Sequence, residues 1–157
     1  MDDVINVAGH RLGTKELEAA ALTVEEVAEA AVVPAIDELR GRIPEVYIAL
    51  KPGYAPSRAI GDKVKDAIDK TIGKIARPRN VWIVPDMPKT RSGKIMRRVL
   101  AATSNFMDTG DITTLANPEM VEAIRRMVQT EKAARGEVPK DLPKEMIEEL
   151  KRFGATE

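Results

Sequence analysis

One amphipathic helix set between two apolar runs constrains this chain more than any other feature. Val64, Ala67, Ile68, Thr71, Ile72 and Ile75 recur at three- and four-residue steps, with Lys63, Lys65, Asp66, Asp69 and Lys70 on the other side. Ahead of it, Val46-Tyr47-Ile48-Ala49-Leu50-Lys51 has the pattern of a strand. Behind it, past Pro78 as the helix stop, Val81-Trp82-Ile83-Val84 is a short, fully apolar strand. A helix with one apolar face must bury it, and strands on either side offer the surface. The expected class is α+β: a small mixed or antiparallel sheet flanked by helices, in a two- or three-layer sandwich.

The N-terminal third fits the same plan. Residues 4–13 read as an N-terminal β-hairpin turning at Ala8-Gly9. Thr14 is placed to cap a helix over residues 15–22, which is rich in helix formers. Thr23 and Glu26 have capping-box spacing and predict one more short turn. Residues 30–33 predict a strand, with Pro34 putting its end at an edge or a bulge. Beyond residue 100, a polar stretch from Thr103 to Asn117 reads as a surface connection. Met120, Val121, Ile124, Met127 and Val128 form another helical stripe, and Met146, Ile147, Leu150 and Phe153 a last one. The domain expectation is a main body over residues 1–118 and a helical extension over 119–157.

Composition narrows the chemistry. The 157 residues contain no Cys and one His, which excludes disulfides, thiolate catalysis, Cys-based zinc sites and His-rich metal centres. Lys plus Arg and Asp plus Glu both number 25, so no global field draws the molecule to nucleic acid or an anionic membrane. No apolar run reaches the ~18 residues of a membrane span, and the acidic start is no signal peptide. A soluble, cytoplasmic protein without nucleic-acid or membrane partners is expected.

Within that neutral chain, residues 89–98 hold five cations (Lys89, Arg91, Lys94, Arg97, Arg98) and no acid. Gly93 permits a tight turn, and Lys94 at the start of a helix would add a mobile charge where a helix N-terminus favours anions. A solvated basic flank explains the same composition equally well. A P-loop is rejected: the earlier glycine is missing, and Ile95 stands where Ser or Thr should hold magnesium.

Three segments resemble the C-terminal domain of AMP-forming acyl-CoA synthetases, in the adenylate-forming superfamily. Pro88-Lys89-Thr90-Arg91-Ser92-Gly93-Lys94-Ile95-Met96-Arg97-Arg98 is similar to the motif that closes that domain. Asp2-Asp3-Val4-Ile5-Asn6-Val7-Ala8-Gly9-His10-Arg11-Leu12-Gly13 resembles its hinge and first hairpin. Gly110-Asp111-Ile112-Thr113-Thr114-Leu115-Ala116-Asn117-Pro118 is similar to a segment of the acetyl/propionyl branch.

The resemblance implies an enzyme that joins a short carboxylic acid to CoA through an acyl-adenylate, using ATP with magnesium and releasing AMP and pyrophosphate. It makes Lys94 the catalytic, nucleotide-contacting lysine, supported by Ser92 and Gly93. It sets Arg11 on a nucleotide phosphate, Asn6, Ala8 and Gly9 along the CoA channel, and Asp2 at the hinge. The plainer alternatives are a solvated lysine at 94, an Arg11 paired with Glu16 or Glu18, a simple turn at Gly9, and a packing role for His10. Ala8 departs from the serine often found there. Asp69 stands where the acetate-activating branch places a CoA-phosphate arginine, leaving Lys70 or Lys74 as substitutes. No acidic cage is evident near residues 22–27, where that branch holds a structural metal, so metal binding is left open.

Nothing here matches the superfamily's ATP loop or acyl pocket. The expectation is an isolated C-terminal domain, inactive alone, whose partners are an N-terminal adenylation domain, a small acid, and an acetyltransferase and deacetylase acting on Lys94. The alternatives are a non-catalytic anion- or nucleotide-binding regulatory module, or the same domain of a medium-chain synthetase.

Overall fold

A computed structural model describes residues 4–140 and 142–153. The expected hinge residue Asp2 lies outside them. The chain divides into two compact units, Met1–Pro85 and Asp86–Glu157.

The first unit is a five-stranded mixed sheet with two helices. Strands β1 (Val4–Val7) and β2 (His10–Gly13) form the hairpin, followed by helix α1 (Thr14–Leu22), strands β3 (Val27–Asp37) and β4 (Gly41–Leu50), helix α2 (Arg58–Ile72) and strand β5 (Val81–Ile83). The strand order is β2-β1-β4-β3, with β5 also on β4. The hairpin, β1–β4 and β3–β4 pairs are antiparallel, whereas β4 and β5 run parallel, with α2 supplying the crossover that adjacent parallel strands need. Both helices bury their apolar sides in one core with the sheet. Leu17 and Ala21 of α1 and Ile60, Val64 and Ile68 of α2 meet Ile5, Val7, Val32, Val46 and Ile48.

Local chemistry explains the boundaries. Ala8 and Gly9 both have positive φ (49° and 87°), which a two-residue turn needs to match the strand twist. Ser57 caps α2, its Oγ accepting from the Ile60 N–H at 3.3 Å. The helix ends at Ile72, where Gly73 takes φ 126°, and Ile75 falls in a separate 3₁₀ turn, so Gly73 rather than Pro78 is the stop. Thr14 is the first helical residue and Gly13 the cap, one residue from expectation. Residues 23–26 form the predicted short turn, with Val27 N–H donating to the Val24 carbonyl at 3.1 Å, but Thr23 Oγ1 donates to the Ala20 carbonyl at 2.6 Å and so closes α1 rather than capping that turn.

Pro34 does not end β3, which runs on to Asp37 opposite a second proline, Pro44. The edge position is correct. Val46 N–H, two residues along from Pro44, points away from β3 to the Asn80 carbonyl, so Pro34 and Pro44 face each other as a non-hydrogen-bonded pair. The ring nitrogen of Pro34 therefore faces the open edge, where a donor would be unpaired. Two residues earlier, the outward Val32 N–H is taken by the buried Glu18 carboxylate at 2.9 Å. A proline and a buried acid together close this edge to other strands.

The second unit holds helices α3 (Arg97–Ser104), α4 (Glu119–Ala134) and α5 (Lys144–Arg152). Both later helices pack on α3. Val121, Ile124 and Val128 of the predicted stripe are buried, but Met127 is exposed. The expected polar connection is partly interior: Thr103, Ser104 and Asn105 are buried at the end of α3, and Leu115 fills a small core with Val99 and Val121. Among the described residues, no helix is long and apolar enough to cross a membrane.

Candidate functional site: a pinned lysine hairpin and an exposed strand hairpin

Lys94 does not begin a helix. It sits on the return arm of a small hairpin, three residues before α3 starts at Arg97. Gly93 N–H donates to the Thr90 carbonyl and Thr90 N–H to the Lys94 carbonyl, each at 2.9 Å. Gly93 has φ 90°, the left-handed conformation that makes glycine the economical residue there. The Thr90 hydroxyl accepts from Lys94 N–H at 3.1 Å and shares a hydrogen bond with Ser92 Oγ at 3.0 Å. Ser92 and Gly93 thus shape the turn that presents Lys94.

The hairpin is fixed to the rest of its unit from both sides. Met96 N–H donates to Pro88 O, and Ala116 N–H to Lys89 O, each at 2.8 Å. Asn117 binds it through its whole amide. Its Oδ1 accepts from Lys89 N–H at 3.0 Å, and its Nδ2 donates to Met87 O at 2.8 Å and to Asp86 Oδ2 at 3.3 Å. Thr90 also bridges to Leu115. Residues 110–118 and residues 88–98, two separate motifs in the sequence, are therefore one structural assembly.

That assembly divides the five cations. Arg98 donates both terminal nitrogens to backbone, to the carbonyls of Thr109 and Asp111. Lys89 pairs with Asp86 at 3.5 Å, and Arg97 is engaged as well. Lys94 and Arg91 are exposed, and neither side chain has a hydrogen-bond or ion-pair partner among the described residues. The basic cluster reduces to two available charges, Arg91 and Lys94, on the hairpin.

The other expected site residues lie in the first unit. Asn6 and Arg11 are directly opposite on the β1–β2 hairpin. Both are exposed, as are Ala8 and Gly9, while Ile5, Val7 and Leu12 point into the core. Arg11 makes no pair with Glu16 or Glu18: Glu18 is committed to Val32, and Arg11 has no partner among the described residues. A Cβ on Gly9 would touch nothing within 4 Å, so its positive φ is what calls for glycine. His10 is exposed rather than packed. Asp69, where the resemblance leads one to expect an arginine, accepts from Arg77 Nη1 at 3.3 Å, beside Asp66 at 2.9 Å. Among the described residues no group of three or more His, Asp or Glu could hold a metal ion.

Residues 16–94 match the profile of the AMP-binding enzyme C-terminal domain. This chain belongs to that family. The matched region stops at Lys94. The domain is 46% identical over 132 residues to an acetyl-coenzyme A synthetase of Pyrobaculum aerophilum, covering 84% of this chain and 20% of that protein. It is 49% identical over 128 residues to acetyl-coenzyme A synthetase 2 of Candida albicans, covering 79% and 19%. The chain spans about a fifth of the length of the curated relatives it matches. A crystal structure of a Brucella canis acyl-CoA synthetase superposes with a TM-score of 0.59 at 36% identity, over 63% of this chain and 18% of that one. An anthranilate CoA ligase in complex with anthranoyl-AMP gives 0.60 at 31%, over 65% and 20%.

Asn117 is the residue that sequence reasoning missed as a positioning group. In the sequence it ends the polar stretch from Thr103, and its partners lie about thirty residues upstream. The signal available was its place in a motif of its own.

Proposed function

We propose that this domain is the C-terminal domain of an ATP-dependent short-chain acyl-CoA synthetase, with Lys94 as its adenylation residue. The observation that carries the reading is the unpartnered Lys94 ammonium on a hairpin held by Thr90 and Asn117, at the end of the family match. In adenylation, a carboxylate oxygen bonds to the α-phosphorus of ATP and the bond to the bridging oxygen breaks, with pyrophosphate leaving. Two anions must approach each other. An ammonium between them offsets that repulsion, most strongly where water is excluded. In the second step the CoA sulfur takes the acyl group, its proton is lost, and AMP departs. Asn6, Ala8 and Gly9 would line the path of the CoA arm, and Arg11, with its fixed fork, would meet a nucleotide phosphate. Magnesium would arrive with ATP, through residues of an adenylation domain. Asp2 would serve as the hinge for the change between steps. A cytoplasmic setting and reversible acetylation of Lys94, which removes its charge, complete the proposal.

The curated relatives are acetyl-coenzyme A synthetases, which favours a short acid over medium-chain acids. The test joins this domain to an adenylating domain of such a synthetase and measures acid-dependent pyrophosphate release. Release by the joined protein and not by this chain alone supports the reading. Equal release with Lys94→Ala in the joined protein refutes the role of the lysine.

A further inference from the structure

The second unit has a cavity of about 270 Å³ between α3, the segment that follows it and α5. That is just below the range of drug-sized sites, with room for about nine groups of water size at ~30 Å³ each. Buried Ala102 and Leu150 and half-buried Met107 form its apolar wall. Arg98, Lys151, Asp108 and Gly110 complete the lining. All of these residues lie beyond Lys94, outside the region that matches the family profile.

Close packing sets the polar side. Arg98 gives both terminal nitrogens to the carbonyls of Thr109 and Asp111 and keeps its charge. Gly110 has φ 72°, and a Cβ there would stand 3.0 Å from Arg98 Nη1, so conformation and space both call for glycine. Asp108 Oδ1 accepts from Gly110 N–H at 2.8 Å. Phe106, with φ 58°, turns the chain back at the end of α3, and Met107 N–H donates to the Ala102 carbonyl at 2.9 Å. A bulky residue in that left-handed conformation is strained, and the turn it makes brings Met107 and Asp108 to the cavity. Lys151, in the last turn of α5, is exposed, and its side chain has no partner among the described residues. Two cations and one acid leave this lining with one positive charge in excess.

We infer that this cavity binds a small organic monoacid, its carboxylate at Lys151 and its apolar chain against Ala102, Met107 and Leu150. One excess charge matches one carboxylate, and the Lys151 ammonium is the donor left to hold it. A phosphomonoester, with up to twice that charge, would leave part of it unmatched beside Asp108. The volume suits about six to nine heavy atoms, the span from butyrate to benzoate. Acetate would leave most of the apolar wall in water and gain little from burial. An occupant would lie against the guanidinium that holds residues 109 and 111, where the segment pinning the Lys94 hairpin begins. The inference is independent of the ligase reading and of the acid that reaction uses.

The experiment uses the full chain. Amide shifts are recorded on titration with hexanoate, hexanamide, acetate and sodium chloride. Hexanoate should shift the amides of residues 102, 107–110 and 150–151 saturably, and sodium chloride should not. Hexanamide, which lacks the charge, and acetate, which lacks the chain, should each bind there at least about fivefold more weakly, as expected for one charged contact at an exposed mouth. Lys151→Gln should weaken hexanoate about fivefold and leave hexanamide unchanged, a split that mere loosening of α5 would not give. Ala102→Leu fills the cavity from α3 and should abolish the shifts. Its melting point reports whether it folds, and the exposed Lys151 variant decides if it does not. No saturable shift at these residues, equal binding of hexanoate and hexanamide, or shifts confined to residues 89–97 would overturn the inference. So would hexanoate binding unchanged in Lys151→Gln or in a folded Ala102→Leu protein, or equal weakening of both ligands by Lys151→Gln.

Discussion

Asn117→Ala should loosen the lysine hairpin without unfolding the protein. The side chain makes two short backbone hydrogen bonds, from Lys89 N–H at 3.0 Å and to Met87 O at 2.8 Å, and a longer one to Asp86. Each short bond is worth about 1 kcal/mol net, and Asn117 is half-buried, so water can replace part of what is lost. The two together come to about 2 kcal/mol, or about 30-fold in the opening constant of the loop. Four backbone bonds remain in the assembly, from Thr90, Gly93, Met96 and Ala116, so the hairpin should open more often rather than vanish. Amide hydrogen exchange is the assay. The Lys89, Thr90 and Met96 amides should exchange about 30-fold faster, while Ile48 and Val46 in β4 keep their rates. Asn117→Asp should be at least as disruptive, because it keeps the acceptor for Lys89 but turns an oxygen toward Met87 O and the Asp86 carboxylate. Unchanged exchange at Lys89 and Thr90, or the same acceleration in β4, would refute the reasoning.

Two further outcomes follow from the first unit. Glu45, only 1% exposed, accepts from Trp82 Nε1 at 2.7 Å and Asn80 Nδ2 at 3.4 Å. Glu45→Ala removes the acceptor of both bonds and should destabilise the unit by about 1–3 kcal/mol, read as a lower denaturation midpoint through the fluorescence of Trp82, the sole tryptophan. The hydrogen bond from Lys63 Nζ, at 2.6 Å, holds the Glu26 carboxyl below its ordinary value. Its folded pKa lies under its unfolded one, so this contribution is full above the usual carboxylate range and fades as pH falls through the folded pKa. Lys63→Met should therefore lower the urea midpoint at pH 7, with a difference from the parent protein that shrinks as pH falls below the usual carboxylate range; a difference that stays constant would contradict the coupling.

The elements that sequence announced are those whose signals are local. Ala8-Gly9 between two short apolar runs specifies its own turn, and the stripe from Val64 to Ile72 specifies α2. Where reading failed, distant partners decided. Pro34 suggested a strand end, but β4 and Glu18 supply what the strand needs on both sides of it. Lys94 to Arg97 has helical composition, yet Gly93 and the Thr90 hydroxyl turn the chain into a hairpin first. The motif around Lys94 was visible in the sequence, while Asn117, which holds the Lys89 arm of its hairpin, was not, because its hydrogen bonds reach back across about thirty residues. The basic cluster misled in a different way: charge counts cannot tell Arg98, spent on two carbonyls, from Lys94, which is not.

The most direct test of the central claim separates the two chemical steps in a synthetase carrying this domain. Lys94→Ala is compared with the parent protein, first for pyrophosphate release from ATP and acid, then for thioester formation from a synthetic acyl-adenylate and CoA. Losing a placed charge where charge develops costs on the order of 10²–10³ in rate. The account predicts a loss of that size in the first reaction and near-parental speed in the second, with acetylation of Lys94 giving the same split. Equal slowing of both reactions, or of neither, would contradict it.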